Sequence, residues 1–141
     1  MRLDAHASGV FPIAPTAFDA SGAIDFSSMD RLTDFYVAMG STGITVLGQL
    51  GEAPKLSLSE SVAITQAMIR RASAIPVVVG VSAPGFAAMK ELSHAVMDLG
   101  AAGVMIAPPN TLRTDDQILG YYQQASDAIG RDIPIVCLLY T

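Results

Sequence analysis

Tryptophan is absent from these 141 residues, cysteine occurs once, and only two lysines, Lys55 and Lys90, are present. The lone Cys137 excludes an internal disulfide and fits a reducing compartment. Charge is scarce, at 15% of residues with a net value of −5. That sign argues against a nucleic-acid partner, whose phosphates would repel the chain. No apolar run approaches the roughly 18 residues of a membrane-spanning helix, so no membrane partner is expected. The opening MRLDAHASGVF places an acid and a histidine where a secretory signal would be cleanly apolar, which makes a cytoplasmic location the expectation. Nucleotide fingerprints are missing: no GxGxxG follows the first apolar run and no Walker-type GKS/T occurs. His6 and His94 have no partners at ligand spacing, so neither a metal site nor a cofactor is expected.

What the chain has in quantity is apolar character, 51% of residues, with a mean hydropathy of +0.45. Such a composition points to strands buried on both faces. Five runs rich in valine and isoleucine fit this: Val10–Ala14, Ile44–Leu47, Pro76–Val81, Val104–Ala107 and Ile133–Tyr140. None alternates apolar with polar, as expected in a parallel sheet covered on both sides. Between them lie four helical stripes. The first is Met29, Leu32, Phe35, Tyr36 and Met39, and the second Leu58, Val62, Thr65, Ile69 and Ala72. Met89, Leu92, Val96 and Leu99 form the third, and Ile118, Tyr122, Ala125 and Ile129 the fourth. Ser57 with Glu60 and Thr114 with Gln117 have the spacing of capping boxes, and Gly40, Gly100 and Gly130 stand where helices would stop.

The resulting strand–helix alternation predicts a run of right-handed βαβ units and a parallel sheet in one domain, 1–141. An open doubly wound sheet and a (β/α)8 barrel both use this order. In a barrel, function gathers on the loops after the strands. The stretch GQLGEAPKLS follows the second run there, with Gly48 and Gly51 bracketing Gln49 and Leu50, and Glu52 directly behind. Spacing alone leaves two readings open: a tight βα turn, or a loop whose backbone N–H groups form a nest for an anion. Asp115 and Asp116 stand at a helix start, where carboxylates complement the dipole. Ser8, Thr16 and Ser82 lie near strand ends without a His/Asp pair to activate them, although Thr16 and Ser82 could line a pocket rim.

GVFPIAPTAFDASGAID, GQLGEAPKLS, VVVGVSAPG, GAAGVMIAPP and DIPIV occur in this order along the chain. In that order and spacing it resembles the dihydrodipicolinate synthase / N-acetylneuraminate lyase family of class I aldolases, over essentially its whole length. The resemblance implies a TIM barrel, a homo-oligomer (dimer or tetramer), and a lyase holding pyruvate or a related 2-keto acid as a Schiff base on a lysine. It also implies that Gly48, Gln49, Leu50, Gly51 and Glu52 form the loop holding the keto acid's carboxylate, with Glu52 orienting the loop by accepting N–H bonds. Synthase-type members carry a threonine pair where Gln49 and Leu50 stand, and a tyrosine pair where Pro109 and Asn110 follow Ala107-Pro108. The synthase reaction proper is therefore not expected. Leu138 takes the position of the family's catalytic tyrosine on the last strand, and Tyr140, on the same strand face, is the candidate substitute.

The family's Schiff-base lysine belongs to a sixth strand, and neither Lys55 nor Lys90 takes its place. About four and a half βα units, five strands with four helices, cannot close a barrel and would leave both sheet edges open. A truncated or frame-shifted gene product, a fragment of a longer protein, or a half-barrel that pairs with a second copy would each account for this. Two functional alternatives stand beside the lyase: a non-catalytic keto-acid-binding or assembly module, and an unrelated open α/β binding domain.

Overall fold

Valine and isoleucine are stiff at χ1 and pack well on a pleated surface, and they form the strands here. A computed structural model describes residues 2–138. Its strands are β1 (Ile44–Val46), β2 (Val77–Gly80), β3 (Gly103–Ile106) and β4 (Ile135–Cys137). They lie side by side in chain order and all pairs are parallel, with Thr45 opposite Val78, Val79 opposite Val104 and Met105 opposite Val136. A doubly wound sheet reverses its order at a switch point. No reversal occurs among the described strands, so the chain forms an arc of a (β/α)8 barrel.

The predicted first strand, Val10–Ala14, needs correction. It lies along β1, where Ala14 N–H donates to Thr45 O and Thr45 N–H to Pro12 O, but only the Ile13–Thr45 bridge forms. Pro12 and Pro15 have no N–H to offer, and such residues confine a segment to an edge. The fifth predicted strand is present as β4. Its final residues, Leu139 and Tyr140, lie outside the described residues.

Four helices connect these strands: α1 (Phe26–Ala38), α2 (Leu58–Ala72), α3 (Phe86–Asp98) and α4 (Asp115–Ile129). Both expected capping boxes are formed, at Ser57/Glu60 and at Thr114/Gln117. Asp25 caps α1, its carboxylate accepting the Ser28 N–H. Gly40, Gly100 and Gly130 have φ of 77°, 97° and 111°, the conformation that ends a helix without a Cβ clash. Helix packs on helix in sequence, α1 on α2, α2 on α3 and α3 on α4.

Alternation along the strands divides the interior in two. Ile44, Val46, Val77, Val79, Val104 and Ile106 join Met29, Ile64, Met68, Met89, Val96 and Ile129 of the helices in one core. Val78 and Met105 are buried but stand apart from that core, on the concave side. Two stripe residues of α1 are corrected: Phe35 and Met39 are 55% and 65% exposed, and Thr33 is buried in their stead. Leu58 of α2 is also exposed, while Ser61, Ile64 and Met68 face inward. At the far edge, exposed Leu119 lines a cleft of about 530 Å³ together with Ile135 and Cys137, and Val136 is exposed on the other face of β4. Among the described residues, no helix is long and apolar enough to cross a membrane.

Candidate functional site

The GQLGE loop leaves the C-terminal end of β1 through two strained residues. Leu47 at φ 57° and Glu52 at φ 55° are the non-glycine residues with positive φ among those described. Such conformations cost about 1–3 kcal/mol each and persist where surrounding structure imposes them. The bracketing glycines serve a different purpose from the positive φ that glycine usually supplies. A Cβ on Gly48 would stand 2.9 Å from Ile13 Cγ2, and one on Gly51 3.1 Å from the carbonyl oxygen of Ala14. They are glycines because the loop is pressed onto the first segment.

Among the described residues, every carbonyl of the loop except that of Leu50 accepts a hydrogen bond. The carbonyl of Gly48 accepts from Ala53 N–H at 3.4 Å, and that of Gln49 from Glu52 N–H at 3.0 Å. The carbonyl of Gly51 accepts from the Thr16 hydroxyl at 2.6 Å. Among the described residues, the N–H groups of Gln49, Leu50 and Gly51 have no partner. Three occupied carbonyls beside three free N–H groups make a local field suited to an anion. The side chains of Gln49 and Leu50 are exposed, whereas Gly48 and Gly51 are buried.

Glu52, which the resemblance implies should accept N–H bonds from the loop, receives no backbone N–H on its carboxylate among the described residues. Its left-handed backbone turns the carboxylate toward the following 3-10 turn, Ala53–Lys55, where it pairs with the Lys55 ammonium. Lys55 is thereby engaged at the surface, and Lys90 is exposed on α3. Tyr140, the candidate catalytic residue, lies outside the described residues.

Neighbouring strand ends are tied together near the loop. Ser82, after β2, accepts the Ala107 N–H at 2.9 Å, which fixes the start of the Pro108–Asn110 stretch. The Tyr122 hydroxyl donates to Ile106 O at 2.7 Å, at the end of β3. Burial pushes this phenol up to about 12. Neither the Thr16 clamp nor the Tyr122 anchor is visible in sequence spacing. For Tyr122, a signal existed: a tyrosine in a buried stripe needs an acceptor for its hydroxyl. The larger cleft, about 620 Å³ and lined by Leu3, Asp4, Arg131, Asp132 and Val136, opens toward the N-terminal end of β4, away from the loop.

Comparison with known proteins joins this geometry to a family. The model of the dihydrodipicolinate synthetase family matches residues 6–136. The chain belongs to that family. A crystal structure of dihydrodipicolinate synthase from Rhodopseudomonas palustris superposes with a TM-score of 0.94 at 57% identity, over 97% of this chain and 46% of that one. The L-2-keto-3-deoxyarabonate dehydratase of Azospirillum brasilense is 34% identical over 133 residues, 91% of this chain and 42% of that protein. The 4-hydroxy-tetrahydrodipicolinate synthase of Sorangium cellulosum is 32% identical over 135 residues, 94% of this chain and 44% of that protein. At family level this dihydrodipicolinate synthetase relative thus carries the scaffold of a lyase, and spans under half the length of the proteins it matches.

Proposed function

We propose that the GQLGE loop is the carboxylate-holding element of a lyase acting on pyruvate or a related 2-keto acid through a Schiff base. The observation that carries this reading is the set of free N–H groups at Gln49, Leu50 and Gly51, beside occupied carbonyls. Held there, the carboxylate would leave the 2-keto carbon free to meet a lysine amine, which adds to the carbonyl and expels water. In this proposal the amine comes from the part of the full-length protein that lies beyond the matched region, since Lys55 is paired with Glu52 and Lys90 is exposed on α3. Gln49 and Leu50 supply no hydroxyl for a proton relay, and Pro109 and Asn110 supply no phenol. The reading is therefore a branch distinct from the synthase proper, and a 2-keto-3-deoxy sugar acid, of the kind named for the Azospirillum relative, is the favoured substrate class. A cytoplasmic homo-oligomer, dimer or tetramer, completes the proposal.

The test is a titration of the isotope-labelled chain with pyruvate, followed by borohydride. Pyruvate should shift the amides of residues 49–51, and pyruvamide, which lacks the carboxylate, should not. Mass after borohydride should stay unchanged. Shifts confined to other residues, or a trapped adduct on Lys55 or Lys90, would overturn the assignment.

A further inference from the structure

Building on that reading, we infer that Thr16 is the positioning residue that keeps the loop's N–H groups turned toward an anion. Of the loop carbonyls, those of Gly48, Gln49 and Glu52 accept from N–H groups nearby in the chain, of Ala53, Glu52 and Lys55, and that of Leu50 has no donor among the described residues. The carbonyl of Gly51 depends on a hydroxyl from 35 residues earlier in the chain. Thr16 is only 7% exposed. Its neighbours are pinned on both sides: Ala14 N–H donates to Thr45 O at 2.8 Å, and Ala17 O accepts the Asp25 N–H at 2.8 Å. The hydroxyl is thus a fixed donor rather than a mobile side chain. Gly51 completes the fit, because any side chain there would meet the carbonyl of Ala14.

The consequence is geometric. With its carbonyl engaged, the Gly51–Glu52 peptide cannot swing its oxygen toward a bound carboxylate, and Glu52 is held at its strained φ of 55°. Without the hydroxyl, that carbonyl has no donor among the described residues, and the Gly51–Glu52 peptide keeps only its N–H bond to Gln49 O. Thr16 then acts through the loop and does not touch the ligand.

Thr16→Val keeps the shape and removes the donor, whereas Thr16→Ser keeps the donor. Pyruvate affinity, read from the amide shifts, should fall on the order of tenfold in Thr16→Val, equivalent to one lost hydrogen bond, and stay near wild type in Thr16→Ser. Hydrogen exchange at the Glu52 and Ala53 amides, which donate to Gln49 O and Gly48 O, measured without ligand, should quicken in Thr16→Val while the amides of β2 and β3 keep their protection. Equal affinity in Thr16→Val, or equal loss in Thr16→Ser, would overturn the positioning role. If wild type fails to bind pyruvate, the proposed function falls, yet the exchange comparison still decides Thr16: unchanged rates at Glu52 and Ala53 overturn it. Should Thr16→Val unfold, Thr16→Cys, with a weaker donor, takes its place and should give intermediate affinity and exchange. Wild-type values in both would overturn the role.

Discussion

Gly80→Ala adds one methyl group at the point where β2 meets the loop. A Cβ there would stand 2.1 Å from the carbonyl oxygen of Leu47, 2.7 Å from its carbon and 3.3 Å from Gly48 N. A carbon–oxygen contact relaxes near about 3.3 Å, so the Leu47 carbonyl must retreat by roughly 1 Å. The obstacle is backbone, and it belongs to a residue already strained at φ 57°, so no rotamer change relieves it. Overpacking a close-packed site costs about 1–3 kcal/mol, and a backbone obstacle places this case near the upper end, about 3 kcal/mol. With a urea slope of about 2 kcal/mol/M, the unfolding midpoint should drop by roughly 1.5 M. Gly120→Ala is the control. It makes the same change inside α4, where nothing lies within 4 Å of the added carbon. Relief of glycine's entropy there should stabilise by about 0.5–1 kcal/mol. If Gly80→Ala unfolds at the wild-type urea concentration, the steric account of the loop is wrong.

Tyr122→Phe removes the hydroxyl donated to Ile106 O, a carbonyl that keeps the Leu138 N–H, so the loss at neutral pH should be about 1 kcal/mol. Because the folded-state phenol is raised to about 12, its stabilising effect is intact below the unfolded value near about 10 and is lost as pH rises through 12. Melting curves across that window should fall for wild type and be flatter for the variant; parallel curves would refute the assignment. Asp25 behaves oppositely: hydrogen bonds from the Ser28 hydroxyl and then its N–H hold the carboxyl below the usual carboxylate range. A depressed folded value stabilises above the unfolded one and fades as pH falls through the folded value. Asp25→Ala should therefore melt earlier than wild type at neutral pH, with the gap closing below about pH 4. A gap that persists into strong acid would remove Asp25 as the cap.

Local chemistry was the most legible part of the sequence. Ser57, Thr114 and the glycines at 40, 100 and 130 act through partners a few residues away, and each is found where spacing put it. Which side of a helix turns inward was less legible. Phe35 and Met39 read as core by hydrophobicity, yet α1 turns them outward and buries Thr33, whose hydroxyl bonds to Met29 O. A small residue that satisfies its own polar group fits that interface, and hydrophobicity alone does not register it. The loop glycines were recognisable as a motif, but the reason for them, contact with Ile13 and Ala14, depends on a segment more than 30 residues away. The pairing of Glu52 with Lys55 was illegible for the same kind of reason: it goes with a left-handed backbone at Glu52 that the sequence does not reveal.

The order of the sheet has a kinetic side. Each strand pairs with the one made just before or after it, and each helix packs on its neighbours in the chain. Contacts this near in sequence carry little loop-closure entropy, so contact order stays modest for a parallel sheet. A nascent chain leaving the ribosome N-terminus first can lay down one strand and helix at a time, with every strand serving as the template for the next. The order of synthesis is then also the order of assembly.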